Sequence, residues 1–222
     1  MPEAMHPAPW DEAVFGMPCF DITELREDVL SLAAGTPGHF TIKVDPLADK
    51  SLLHRYGFYY TDTLIEPVCA AGQLVAHEHA DASADAGVDV KLLLPMCRES
   101  FVHGRFHRDF NLPRDAADRR YMQWLEQLAR EDTVLGLYFS GELAGFIAER
   151  RGVLALHALD ARFRGRGLAK YLWTAACRRL FEQGADELSS SISAANLAVL
   201  NLYASLGFRF RHAVDVYHRL NR

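Results

Sequence analysis

No apolar run in the 222 residues approaches the roughly 18 that a membrane-spanning helix needs, so no membrane partner is expected. The opening Met-Pro-Glu-Ala-Met-His-Pro lacks the basic and apolar regions of a signal peptide, and a cytoplasmic location is the expectation that follows. Cysteine is scarce: Cys19, Cys69, Cys97 and Cys177 are scattered without a CxxC pair, which favours buried thiols over disulfides or a metal site. His77-x-His79 and His103-x-x-x-His107 lack a Glu or Cys to complete a ligand set, and Gly104 weakens the helix that would align the second pair. No metal is expected. Low-complexity segments and sequence repeats are absent, and both familiar nucleotide loops fail on spacing. Gly165-Arg-Gly-Leu-Ala-Lys170 puts Lys where a dinucleotide fingerprint needs its third Gly, and no GxxxxGK is followed by Ser or Thr.

What is present is a charge asymmetry and a glycine loop that coincide. Residues 1–150 carry 13 basic and 24 acidic side chains, whereas 151–222 carry 11 and 5. A basic region inside an acidic chain favours a small anionic ligand over nucleic acid, whose long backbone the remaining surface would repel; a fluctuation among solvated helix faces is the alternative. The basic part holds Leu159-Asp-Ala-Arg-Phe-Arg-Gly-Arg-Gly-Leu-Ala-Lys170, a strand passing to a helix through an Arg/Gly-rich turn. Two glycines let backbone approach a bulky anion, and the unpaired N–H groups and dipole of the following helix point at the same place.

The fold class expected is α/β (α+β), with a mixed, mostly antiparallel sheet flanked by helices. Val134–Phe139, Leu143–Glu149 and Val153–Leu159 read as an antiparallel meander joined by the tight turns Ser140-Gly141-Glu142 and Arg151-Gly152. Leu168, Leu172, Ala175, Ala176 and Leu180 recur at helical spacing before Gly184. A strand Glu187–Ile192, a helix Leu197–Leu206 ended by Gly207, and strands Phe208–Arg211 and Val214–Leu220 follow. Upstream, helices are expected over Val88–Phe101 and around Tyr121–Leu128, the second capped by Asp115. Residues 1–75 form a smaller α/β unit and 76–222 the main domain, with one short strand, Leu74–His77, near the boundary. Leu53-His-Arg-Tyr-Gly-Phe58 faintly echoes Leu202-Tyr-Ala-Ser-Leu-Gly-Phe208.

Arg162-x-x-Gly165-x-Gly167 after a meander, then Asn196, then Leu202-Tyr203-x-x-x-Gly207-Phe208, resembles the Gcn5-related N-acetyltransferase superfamily over about 90 residues. Ala161 stands where many members have Pro. The resemblance implies acetyl-CoA as co-substrate. It implies that His157, Ala158 and Leu159 line the pantetheine arm, that the amides of Arg164, Gly165, Arg166, Gly167, Leu168 and Ala169 hold the pyrophosphate, and that Asn196 bonds the arm. Tyr203 would protonate the departing thiolate; its plainer reading is a core tyrosine.

Trp10-Asp-Glu-x-x-Phe15-Gly16, Gly104-Arg-Phe-His107 and Tyr121-x-x-Trp124 look like the bacterial dTDP-fucosamine acetyltransferases. That narrower resemblance implies a primary amine on a nucleotide sugar as acceptor, attacked directly in a ternary complex, with Asp62 where the family has an acidic residue. The short Asp side chain favours a water-mediated role, and a solvated strand-edge Asp stays open. Glu66, His107, Asp109 and His157 are further candidates for the base. In the crowded segment 102–111, Arg105, His107 and Asp109 would bind the acceptor, with Arg105 and Arg108 on its diphosphate and Phe106 or Phe110 against its base; a solvated connector with two buried Phe anchors is the alternative. A homodimer, another small amine or protein N-terminus as acceptor, and a silent acyl-CoA-binding module stay open.

Overall fold

The computed structural model describes residues 3–98 and 100–222. The first part contains β1 (Met5–Pro7), α1 (Pro9–Phe15), β2 (Cys19–Ile22), α2 (Glu27–Gly35), β3 (Gly38–Val44), α3 (Ser51–Arg55) and β4 (Tyr59–Ala70). There follow β5 (Ala82–Ala86), α4 (Val90–Cys97), α5 (Arg105–Arg108), α6 (Arg114–Glu131), β6 (Thr133–Phe139), β7 (Glu142–Arg150) and β8 (Val153–Leu159). The chain ends with α7 (Ala169–Glu182), β9 (Glu187–Ser190), β10 (Ile192–Ser193), α8 (Leu197–Ser205) and β11 (Arg209–Asn221). Among the described residues the strands form one sheet ordered β1-β2-β3-β11-β4-β9-β8-β7-β6-β5, with β10 added against β4. Only β2–β3 and β8–β9 run parallel there, so the mixed, mostly antiparallel sheet is as expected.

The apolar patterns decide what covers each face. Leu172, Trp173, Ala176 and Leu180 of α7, with Tyr203 of α8, pack on Leu135, Leu137, Ile147 and Leu154, while α4 and α6 bring Leu93, Leu125 and Leu128 onto Phe146, Leu156 and Ala158 of the opposite face. The N-terminal strands have their own core, Phe40, Ile42 and Val44 under Val29, Leu30 and Leu53. These cores share a sheet that runs unbroken from β3 through β11 and β4 to β9. The echo between α3 and α8 is structural: Phe58 N–H donates to Leu53 O and Phe208 N–H to Tyr203 O, at 2.9 and 3.0 Å. All four cysteines are buried and free.

Several local expectations are corrected. Leu74–His77 is no strand, because Val75 N–H bonds Leu206 O and His77 N–H bonds Thr174 Oγ1, single bonds that tie the segment over α7 and α8. The strand near the boundary is Ala82–Ala86, paired with β6. Val88–Phe101 shortens to Val90–Cys97, whose Asp89 cap accepts from Lys91 N–H. Asp115 does not cap α6; Pro113 takes that position, and Asp115 pairs with Arg119 within the first turns. The two terminal strands are one strand, β11, with a bulge between Arg211 and Val214. Glu187–Ile192 breaks at Ser191, and that break creates the central cleft.

Candidate active site

β8 and β9 pair only at Val153↔Ser189 and Leu154↔Ser190, where Ser190 Oγ–H closes the ladder on Leu154 O at 2.8 Å. Beyond that point the chain leaves β8 for β4, pairing Ile192↔Ile65 and Ser193↔Leu64. The strands splay. On the other edge of β8, Asp160 N–H bonds Ala144 O at 2.9 Å, so antiparallel alternation turns the amides of Leu159 and His157 into the cleft.

At the mouth of the splay, Asp160 Oδ1 accepts from Arg162 N–H at 2.9 Å and starts a single tight turn anchored by buried Phe163. Gly165 and Gly167 then adopt φ of 71° and 70°, a region that side chains resist, with open space where a Cβ would stand. The amides of residues 165–170 have no partner among the described residues. Arg164 departs from expectation: its N–H is spent on Ala161 O at 3.3 Å, and its side chain turns back to Leu159 O and Ser100 Oγ. Arg162 pairs with Asp160 and Glu142, while Arg166 and Lys170 have no carboxylate partner among the described residues. These six amide donors at the start of a 14-residue helix fit a pyrophosphate.

Tyr203 lies at the inner end, fully buried, with its hydroxyl 3.0 Å from His157 Nε2. Burial raises the tyrosine above its ordinary pKa and pushes His157 down to about 4. Near neutral pH the phenol is therefore protonated and donates to a neutral ring, whose edge is fixed by Trp173 at 5.3 Å. His157 is thus the partner of the tyrosine rather than a free base, a pairing that no motif spacing announces. Asn196 caps α8, its Oδ1 accepting from Val199 N–H at 3.3 Å, which leaves Nδ2 for a ligand. Tyr203→Phe is expected to lower kcat by roughly 10- to 100-fold, modest for acid catalysis because a thiolate leaves readily. Its acetyl-CoA Kd should stay within about twofold, measured by calorimetry; an unchanged kcat would refute a proton-donor role.

On the opposite sheet face Asp62 is wholly buried, its Oδ1 accepting from Arg108 Nη1 and from Ser193 Oγ, both at 2.7 Å. Asp62 Oδ2 is buried without a partner. Burial raises the Asp62 pKa against the opposing pull of Ser193 and Arg108. It is no solvated strand-edge residue, and Ser193 links it to the turn bearing Asn196. Arg105, on the same turn as Arg108, has its guanidinium 4.7 Å from the Phe106 ring and its Nε buried and unpartnered. Two expected acceptor contacts are corrected. His107 is turned inward, stacked on Tyr121 and 3.0 Å from Asp118, because its half of the one-turn helix faces α6. Asp109 is buried among His39, His218 and Tyr59, none of which had been singled out, since isolated polar residues in apolar strands carry no motif. Phe106 is core; Phe110 is 94% exposed. Glu66 is occupied by Arg211 and His212.

The family model "Acetyltransferase (GNAT) family" matches residues 99–208. SpsD, a spore coat polysaccharide biosynthesis protein of Bacillus subtilis, is 24% identical over 140 residues, covering 59% of this chain and 47% of SpsD. N-alpha-acetyltransferase MAK3 of Arabidopsis thaliana is 36% identical over 58 residues, 26% of this chain and 30% of that protein. The chain therefore spans less than half the length of either curated relative. A GCN5-related N-acetyltransferase from Sphaerobacter thermophilus superposes with a TM-score of 0.60 at 15% identity, over 87% of this chain and 63% of that one. No described helix is long and apolar enough to cross a membrane. Residues 99–208 thus match the GNAT acetyltransferase family, and the chain shares the GNAT fold over 87% of its length.

Proposed function

We propose that this chain N-acetylates a dTDP-linked 4-amino-6-deoxy sugar by direct attack within a ternary complex. Acetyl-CoA supplies the acetyl group as an activated thioester. The free amides of residues 165–170, with Arg166 and Lys170, hold its pyrophosphate, and Asn196 and the inward amides of His157 and Leu159 hold the arm and polarise the thioester carbonyl. Asp62 takes a proton from the acceptor amine, directly or through one water, so that a lone pair is available; Tyr203 hands a proton to the leaving sulfur. The observation that carries this reading is the buried, half-unpartnered carboxylate of Asp62 bonded to Arg108. A base beside a guanidinium group suits an amine on an anionic molecule, and the likeness to a polysaccharide biosynthesis protein supports a sugar.

A thiol-release assay across dTDP-amino sugars, free amino sugars, polyamines and peptide N-termini tests it. The highest kcat/KM is expected with the dTDP-4-amino sugar. Preference for peptide N-termini would replace the acceptor, and acetyl-CoA binding without thiol release from any amine would leave a binding module. Arg105→Ala is expected to raise KM for the nucleotide sugar by about tenfold or more, the worth of one charge-assisted contact. An unchanged KM removes Arg105 from the acceptor site.

A further inference from the structure

The single turn of α5 is too short to hold its own position, yet it supplies the Arg108 guanidinium bonded to Asp62. What holds it is the next residue. Asp109 Oδ2 accepts from His218 Nδ1 at 2.8 Å and Tyr59 O–H at 3.0 Å, with His39 Nε2 at 3.3 Å; Oδ1 accepts from Asn111 N–H at 3.0 Å. Asp109, His39 and His218 are buried and Tyr59 half-buried, and burial alone would raise the carboxyl pKa. The hydrogen bonds from His218 and His39 outweigh it and hold Asp109 ionised, well below the usual carboxylate range.

The sheet register explains why this cluster matters to the base. His218 pairs laterally with Thr41 and Tyr59, and Val216, two residues away, pairs with Lys43 and Asp62. Tyr59 and Asp62 are three residues apart, a spacing that puts side chains on opposite faces of a regular strand. The bulge between Val216 and Tyr217 absorbs one residue of β4 and returns both to one face. Consecutive residues of the α5 segment thus reach neighbouring rows, Asp109 onto Tyr59 and His218, Arg108 onto Asp62.

We propose that Asp109 is a positioning residue: its buried network with His218, His39 and Tyr59 seats α5 so that Arg108 is held against Asp62. Acceptor recognition then depends on a cluster the acceptor never touches. This rests on the reading of Asp62 as the base. The groups facing Asp62 are Arg108 and Arg105 of α5, Ser193 of β10, the Thr63 N–H of its own strand and Tyr121 of α6. Loosening α5 withdraws the Arg108 charge that favours ionised Asp62, so the acid limb of kcat/KM should move to higher pH.

The test uses the full chain with His218→Leu, which removes the donor, His218→Asn, whose amide N–H mimics Nδ1–H, and Tyr59→Phe, which removes one bond and keeps the fold should the Leu variant not survive. His218→Leu is expected to raise the acceptor KM about tenfold and shift the acid limb upward, with acetyl-CoA Kd within twofold; Tyr59→Phe should do the same about threefold, and His218→Asn should restore both readouts. An unmoved acid limb in the Leu and Phe variants overturns the proposal, as does an equal loss of acetyl-CoA affinity. So does stoichiometric metal in the purified protein, since His39, Asp109 and His218 present ligand atoms within 4.8 Å of one another. Should Asp62→Asn retain full activity, the base assignment falls instead, while the change in acceptor KM stays readable.

Discussion

Asp62→Asn is expected to lower kcat by about 100- to 10,000-fold at neutral pH while acetyl-CoA binding is unchanged. The residue is buried between Ser193 and Arg108 with one oxygen unpartnered, so the amide occupies the same space without accepting a proton. Stability separates this from unfolding. A carboxyl whose folded pKa is raised binds its proton more tightly when folded; its contribution is fully present below the unfolded pKa and is lost as pH rises through the folded one. At neutral pH the ionised Asp62 therefore costs stability, and the Asn variant should match or exceed the parent in Tm. In the parent, kcat/KM should fall with pH along a limb placed above the usual carboxylate range, since the base must be ionised. A variant retaining more than a tenth of kcat would exclude Asp62 as the base.

Asp11→Ala should be the most destabilising single change away from the site. Arg120 Nε donates to Asp11 Oδ1 at 2.7 Å, joining α1 to α6, and its guanidinium lies 4.1 Å from the Phe106 ring and 4.6 Å from that of Trp10. Removing the carboxylate leaves a nearly buried cation uncompensated, at a cost of about 3–5 kcal/mol. For a chain of this length that corresponds to a Tm lower by about 10 °C, read by calorimetry or circular dichroism. Adding Arg120→Met should recover most of the loss, because an apolar side chain of similar volume suits the aromatic cage. A double variant no more stable than Asp11→Ala would show that the guanidinium stabilises through its ring contacts instead.

The backbone around the glycine turn was legible because each of its parts is local. The meander turns and the Arg162 to Gly167 loop are set by residues within a few positions of one another, so spacing alone carries them. The acceptor side was not. Arg105, His107 and Asp109 read as one cationic loop, but a single helical turn sends His107 toward α6 and Asp109 into the sheet, leaving Arg108 on Asp62. Asp62 could be placed on a strand from sequence; its face could not, because a bulge in the β4–β11 pairing reverses the parity that alternation predicts.

The amino-acid sequence by itself determined the meander, the strand-to-helix glycine turn and the helix that follows it, through backbone preferences and periodicities that act over about ten residues. Only the tertiary structure decided that His157 faces Tyr203, and that Asp109 meets His39, His218 and Tyr59 across separations of 70, 109 and 50 residues. Those meetings depend on β11 inserting between β3 and β4, a strand order chosen by the burial of whole faces, which no local pattern encodes.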